Sequence, residues 1–108
     1  MYSAEEKKKL IADRFGGQLQ AWKQKYAAVF GYVSEDGKMC VLRAPDLGII
    51  DACRTISGGS SIKFDIALVD NCWLDGDECL RKDDKYRMGL FDWLGVIILK
   101  VEGTLVEL

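Results

Sequence analysis

Apolar positions along the chain change their period twice, from helical spacing to alternation and back. Ser3 followed by Glu6 forms a capping box, in which hydroxyl and carboxylate each satisfy an orphan backbone N–H at a helix start. Leu10, Ile11 and Phe15 continue that helix at helical spacing. Gly16-Gly17 is its expected break, because glycine costs about 1 kcal/mol against alanine in a helix interior. A second helical stretch carries Leu19, Trp22 and Tyr26 on one face. From Val29 to Val33 and from Met39 to Leu42 the chain turns β-branched and aromatic, with Glu35-Asp36-Gly37-Lys38 between; this predicts a β-hairpin. Pro45 cannot donate to a sheet ladder but suits a first helical turn, so a short helix is expected near 46–55.

The segment Ser57-Gly58-Gly59-Ser60-Ser61 lacks the Lys-Ser/Thr pair of a phosphate-binding loop and reads as a linker whose Ser60 or Ser61 caps the next helix. There Ile62, Ile66, Val69 and Trp73 predict one buried stripe, with Lys63, Asp65 and Asp70 turned to water. Asp83 or Asp84 caps a last helix in which Tyr86, Leu90, Trp93, Leu94, Ile97 and Val101 repeat at helical spacing up to about Gly103, before the apolar tail Thr104-Leu105-Val106. The expected fold is α+β. N-terminal helices and a small antiparallel sheet of one hairpin precede three helices packed as a C-terminal layer.

Composition narrows the function classes. A chain of 108 residues with 49% hydrophobic and 30% charged residues is one globular domain, 1–108, able to bury a core without a disulfide scaffold. The net charge of −2 offers no field for polyanions. The one basic cluster, Lys7-Lys8-Lys9, follows Glu5-Glu6 as the solvated face of a helix, so no nucleic-acid partner is expected. The first residues carry charges where a secretory signal would carry its apolar segment, and no apolar stretch approaches the ~18–20 residues that span a bilayer. The expectation is a cytoplasmic protein without membrane contact, whose Cys40, Cys53, Cys72 and Cys79 are free thiols.

The stretch Asn71-Cys72-Trp73-Leu74-Asp75-Gly76-Asp77-Glu78 is the richest in chemical groups. Aligning Gly76 with the glycine of a calcium loop puts Trp73 and Lys82 on ligand positions, which excludes an EF-hand. The four cysteines contain no Cys-x2-Cys knuckle, and the chain has no histidine to complete a zinc site or to activate a thiol. Asp75, Asp77 and Glu78 could form a general acid–base pair; a glycine-containing acidic run between two helices reads more simply as a solvated turn. No catalytic residue, metal ligand or cofactor is nominated, and a non-enzymatic role is expected.

The order Trp22-Lys23-Gln24-Lys25-Tyr26, hairpin, Val41-Leu42-Arg43-Ala44-Pro45, then Ala67 to Asp77, then Asp83-Asp84 resembles a family of small phage and prophage proteins described as tail assembly chaperone-like. The resemblance covers residues 22–108 and leaves 1–16 as a helical N-terminal extension. It implies a protein that binds a tape-measure-type helical partner during tail assembly, in the host cytoplasm if phage-derived. Trp22, Tyr26, Trp73 and Trp93 are the aromatic groups available for such a contact, each equally able to be a core residue. An adaptor or immunity-type interaction module and a cysteine-based metal or redox protein are the rival readings. A lone hairpin is marginal in water, so it is expected either to lie on the helices or to extend its sheet by pairing its free edge with a second copy.

Overall fold

The computed structural model describes residues 2–108. Its first helix, α1 (Ala4–Lys25), starts at the expected capping box: the Glu6 amide donates to the Ser3 hydroxyl at 3.1 Å, and the Ser3 amide donates to the Glu6 carboxylate at 3.2 Å. The break expected at Gly16-Gly17 is present, as a kink at which two helical segments meet. Gly16 alone leaves helical geometry (φ 52°, ψ −126°), and the second segment of α1 runs from there to Lys25. The segment expected as an extension is part of the packed body, because Ile11 and Phe15 are buried against the sheet together with Leu19 and Trp22.

The hairpin forms as expected from β1 (Val29–Val33) and β2 (Met39–Arg43), antiparallel in the register Val29↔Arg43 to Val33↔Met39. Its turn is closed by the Ser34 amide donating to the Lys38 carbonyl at 2.8 Å, with Gly37 at φ 88°. A hairpin alone is not the whole sheet, however. The helix α3 (Ser61–Cys72) ends at Cys72, and Trp73–Gly76 forms a third strand, β3, on the other side of β2. The register slips between Val41 and Leu42, which sets Trp73 and not Leu74 opposite Leu42, so that Trp73 joins the core on that face and Leu74 the core on the other. Trp73 is therefore not the last member of a helical stripe. That stripe is corrected further by Ile62, which is 65% exposed, while Ala67, Leu68, Val69 and Cys72 are buried. Helix α3 faces both a neighbouring helix and the sheet, which moves its buried arc away from Ile62.

The sheet is a middle layer. Met39 and Val41 point to the α1 side; Cys40 and Leu42 point to the opposite side, where α2 (Leu47–Ser57), α3, α4 (Asp84–Phe91) and α5 (Leu94–Ile97) supply Cys53, Leu68, Leu90, Leu94 and Ile97. Asp46 caps α2 and Ser60 caps α3, their side chains accepting from the amides of Ile49 and Lys63. A 3₁₀ turn, Glu78–Arg81, buries Leu80 and leads into α4.

The single long helix expected from Tyr86 to Val101 does not form. The chain turns at Asp92-Trp93, where the Trp93 amide bonds the Leu90 carbonyl and the Val96 amide bonds the Trp93 carbonyl. This keeps Leu90, Leu94 and Ile97 buried, leaves Trp93 60% exposed, and leaves Val101 and everything after Ile98 outside the core. A helix is held mainly by what its apolar face covers, and residues beyond Ile98 have nothing of this chain to cover.

Gly76 marks where the third strand touches the second. With φ 149°, an added Cβ would lie 2.5 Å from both Cα and Cβ of Cys40, which is backbone that cannot swing aside. Gly76→Ala should cost about 3 kcal/mol or more through overpacking and strain, whereas Gly103→Ala, with open space around it, should leave the denaturation midpoint unchanged. Urea titration followed by circular dichroism measures both.

Candidate functional site

The acidic stretch after α3 is bonded into the fold at Asp77. Asp77 exchanges two hydrogen bonds with Met39: its amide donates to the Met39 carbonyl, and its carboxylate accepts from the Met39 amide, each at 2.9 Å. The same carboxylate takes two hydrogen bonds from the Arg14 guanidinium, at 2.8 and 3.1 Å, which ties α1 to the β2–β3 ladder. The hydrogen bond from Arg14 holds the Asp77 carboxyl below the ordinary carboxylate range, with partial burial opposing and the Met39 amide assisting. Glu78 grips Arg81 with two hydrogen bonds at 2.7 and 2.8 Å, and Arg81 lies 4.5 Å from the centre of the Trp73 ring. These carboxylates are occupied by guanidinium groups and backbone, which is not the arrangement of a proton-transfer pair.

The thiols are placed as hydrophobes. Cys40, Cys53 and Cys72 are fully buried and Cys79 is half-buried. Burial pushes the Cys40 thiol up to about 12 and the Cys72 thiol to about 11, away from the thiolate that nucleophiles and metal ligands require. Among the described residues no three His, Cys, Asp or Glu side chains gather as a metal-binding group, and no helix is long and apolar enough to cross a membrane.

The four aromatic residues expected to meet a partner do not form one surface. Trp22 is half-buried on α1, its ring 5.9 Å from that of Phe15. Tyr26 closes α1 beneath the Arg43 guanidinium, 4.4 Å from its ring centre. Trp73 packs on the core under Arg81. Trp93 alone stands largely in solvent, on a groove of about 680 Å³.

That groove lies between the hairpin and the last two helices. Phe30 and Tyr32 of β1, Tyr86 and Leu90 of α4, and Leu94 and Ile97 of α5 line it, while Trp93 and the 57% exposed Val96 stand at its lip. Lys7, Glu35, Lys85 and Asp92 give the groove polar edges of both signs. One wall is pinned across the molecule: the Tyr86 hydroxyl donates to Asp36 in the hairpin turn, and Asp36 also accepts from Ser34. The bond to Asp36 pushes the Tyr86 phenol up to about 12. Phe30, Tyr32 and Val96 are not marked by the sequence, and Tyr86 is marked only as a packing position of the last helix. The alternation in β1 that turns Phe30 and Tyr32 to one face was the available signal, but it could not say which helices that face would meet. Comparison with protein-family models, curated proteins and solved structures finds no match for this chain.

Two outcomes check this assignment. Asp77→Ala removes the acceptor for both Met39 and Arg14 and should cost about 1–2 kcal/mol, mostly from the orphaned amide, since the partly exposed ion pair itself adds little. Because the folded pKa is depressed, Asp77 contributes its full stability above the usual carboxylate pKa near ~3.9 and loses it as pH falls through the lowered value; the wild-type–variant gap should therefore shrink on the acid side of about pH 4 in urea melts. Second, a disulfide thiol reagent at neutral pH should modify at most one cysteine, Cys79, in the folded protein and all four after denaturation.

Proposed function

We propose that this chain acts by binding an apolar segment of another protein, in the manner of a tail assembly chaperone holding a helical tape-measure-type partner. The observation that carries the reading is the open, apolar-lined groove between β1 and α4–α5, with Trp93 and Val96 exposed on its lip. Exposed aromatic and aliphatic groups beside a concave apolar surface are what an amphipathic helix needs to bury its stripe, and the flanking Lys7, Glu35, Lys85 and Asp92 can orient it. Raised thiol pKa values and carboxylates engaged with arginine support binding over bond-making chemistry. The same groove would serve an adaptor; the tape-measure partner comes from the resemblance of residues 22–108.

A synthetic helical peptide with leucines at i, i+3, i+4 and i+7 tests it. Titration of the full chain should shift tryptophan emission, and Val96→Asp combined with Trp93→Ala should weaken binding measured by calorimetry at least about tenfold, a loss of ~1.4 kcal/mol. Trp22→Ala should leave affinity within about twofold, since that ring faces Phe15 rather than the groove. Equal affinity for the wild type and the double variant would refute the groove as the binding site.

A further inference from the structure

We infer that the segment Leu99–Leu105 of one copy pairs with the outer edge of β1 in a second copy and covers its groove, so that the free protein is a tail-exchanged dimer. The proposal rests on the groove reading above and names the groove's occupant before a partner arrives. Two features of the same chain lack a counterpart within it. The first is the edge of β1. The Ala44 amide donates to the Ala28 carbonyl and the Ser34 amide donates to the Lys38 carbonyl, so alternation gives Phe30 and Tyr32 the bonds to β2. Val29, Gly31 and Val33 then turn their backbone groups outward, and among the described residues no other element bonds them; Gly31 at the centre is exposed. The groove is lined by this same stretch of β1.

The second feature is the tail. Leu99-Lys100-Val101-Glu102-Gly103-Thr104-Leu105 alternates apolar and polar positions with only Gly103 interrupting, which is the pattern of a half-buried strand, yet it belongs to no sheet. Leu99, Val101 and Leu105 would share one face, and they are 53%, 100% and 99% exposed. The chain leaves α5 at Ile98 in extended backbone, and beyond it Val101 and Leu105 meet nothing of their own chain. The molecule measures 51 Å in its longest dimension, and its radius of gyration is 15.2 Å, against about 13 Å for a compact domain of this length.

A second copy suits these facts better than the tail's own groove. Ile97 already lines that groove, so the tail starts at its end, yet Leu99, Val101 and Leu105 stay exposed instead of covering it, and Ile98–Glu102 holds no glycine, proline, asparagine or aspartate to turn the chain back along its own β1. Seven residues of strand reach about 24 Å, enough to run the five residues of β1, and a two-fold arrangement lets each copy give and receive one tail. Main-chain bonds to Val29 and Gly31 would supply affinity, and Leu99, Val101 and Leu105 would enter the apolar groove, which a helical partner could later claim by displacing them.

Light scattering and amide hydrogen exchange on the full chain decide it. The test variant is Leu99→Asp/Val101→Asp/Leu105→Asp, three exposed positions whose change should leave circular dichroism unaltered. The wild type should be a dimer with slow exchange at Gly31 and at residues 100–104. The variant should dimerise at least tenfold more weakly and lose both protections, and the leucine-stripe peptide should dissociate the wild-type dimer. A dimer unaffected in the variant overturns the proposal by placing the contact elsewhere. A monomer with a protected tail overturns it in favour of docking within one chain. A wild-type monomer with an unprotected tail that still binds the peptide ends the exchange and leaves the groove standing; one that binds nothing ends both.

Discussion

Strand β2 belongs to two hydrophobic cores at once, and the rest of the molecule is arranged to cover it. Met39, Cys40, Val41 and Leu42 are buried in succession, two on each face. A strand at a surface would bury every second residue; an unbroken apolar run requires layers on both sides. Helix α1 is one layer and the helices after Pro45 are the other. Burying Val41 and Leu42 alone is worth roughly 1.5–3 kcal/mol each, so neither layer can be removed without exposing what holds the other in register.

Placing β2 at the centre requires partners on both edges. β1 comes from a tight local turn. β3 comes from a distant segment and is set by the ladder, by the absence of a side chain at Gly76 against Cys40, and by the Asp77 contacts that extend the pairing by one side chain. Arg14 then joins α1 to that far edge. Asp77 and Arg14 are engaged in this way, while Glu78 pairs separately with Arg81 at the surface.

The opposite edge is built differently. There β1 has a helical wall beside it but no strand, and the groove between them keeps apolar side chains in reach of solvent. The four residues Phe30, Tyr32, Tyr86 and Trp93 come from elements some sixty positions apart, and the Tyr86–Asp36 hydrogen bond fixes the gap between them. An edge left open next to apolar surface is a liability that a partner or a second copy removes, which gives the binding reading its physical basis.

The sequence by itself determined the α+β class, the capping box at Ser3, the hairpin and its turn, and a cap at Ser60 or Ser61 and at Asp83 or Asp84, because each follows from groups within a few residues of one another. The structure chose Ser60 and Asp83 and made Asp46 the cap of α2, with Pro45 before the helix and not in its first turn. Only the tertiary structure decided the third strand, the end of α3 at Cys72, the split of the last helix at Trp93, and which aromatic ring stays in water. Trp73 continues a helical period in sequence yet adopts strand geometry, because pairing with β2 offers its backbone partners that an isolated helix end cannot. Val101 continues a helical period too and forms no helix, because periodicity states which face could be buried and only a neighbouring surface can bury it.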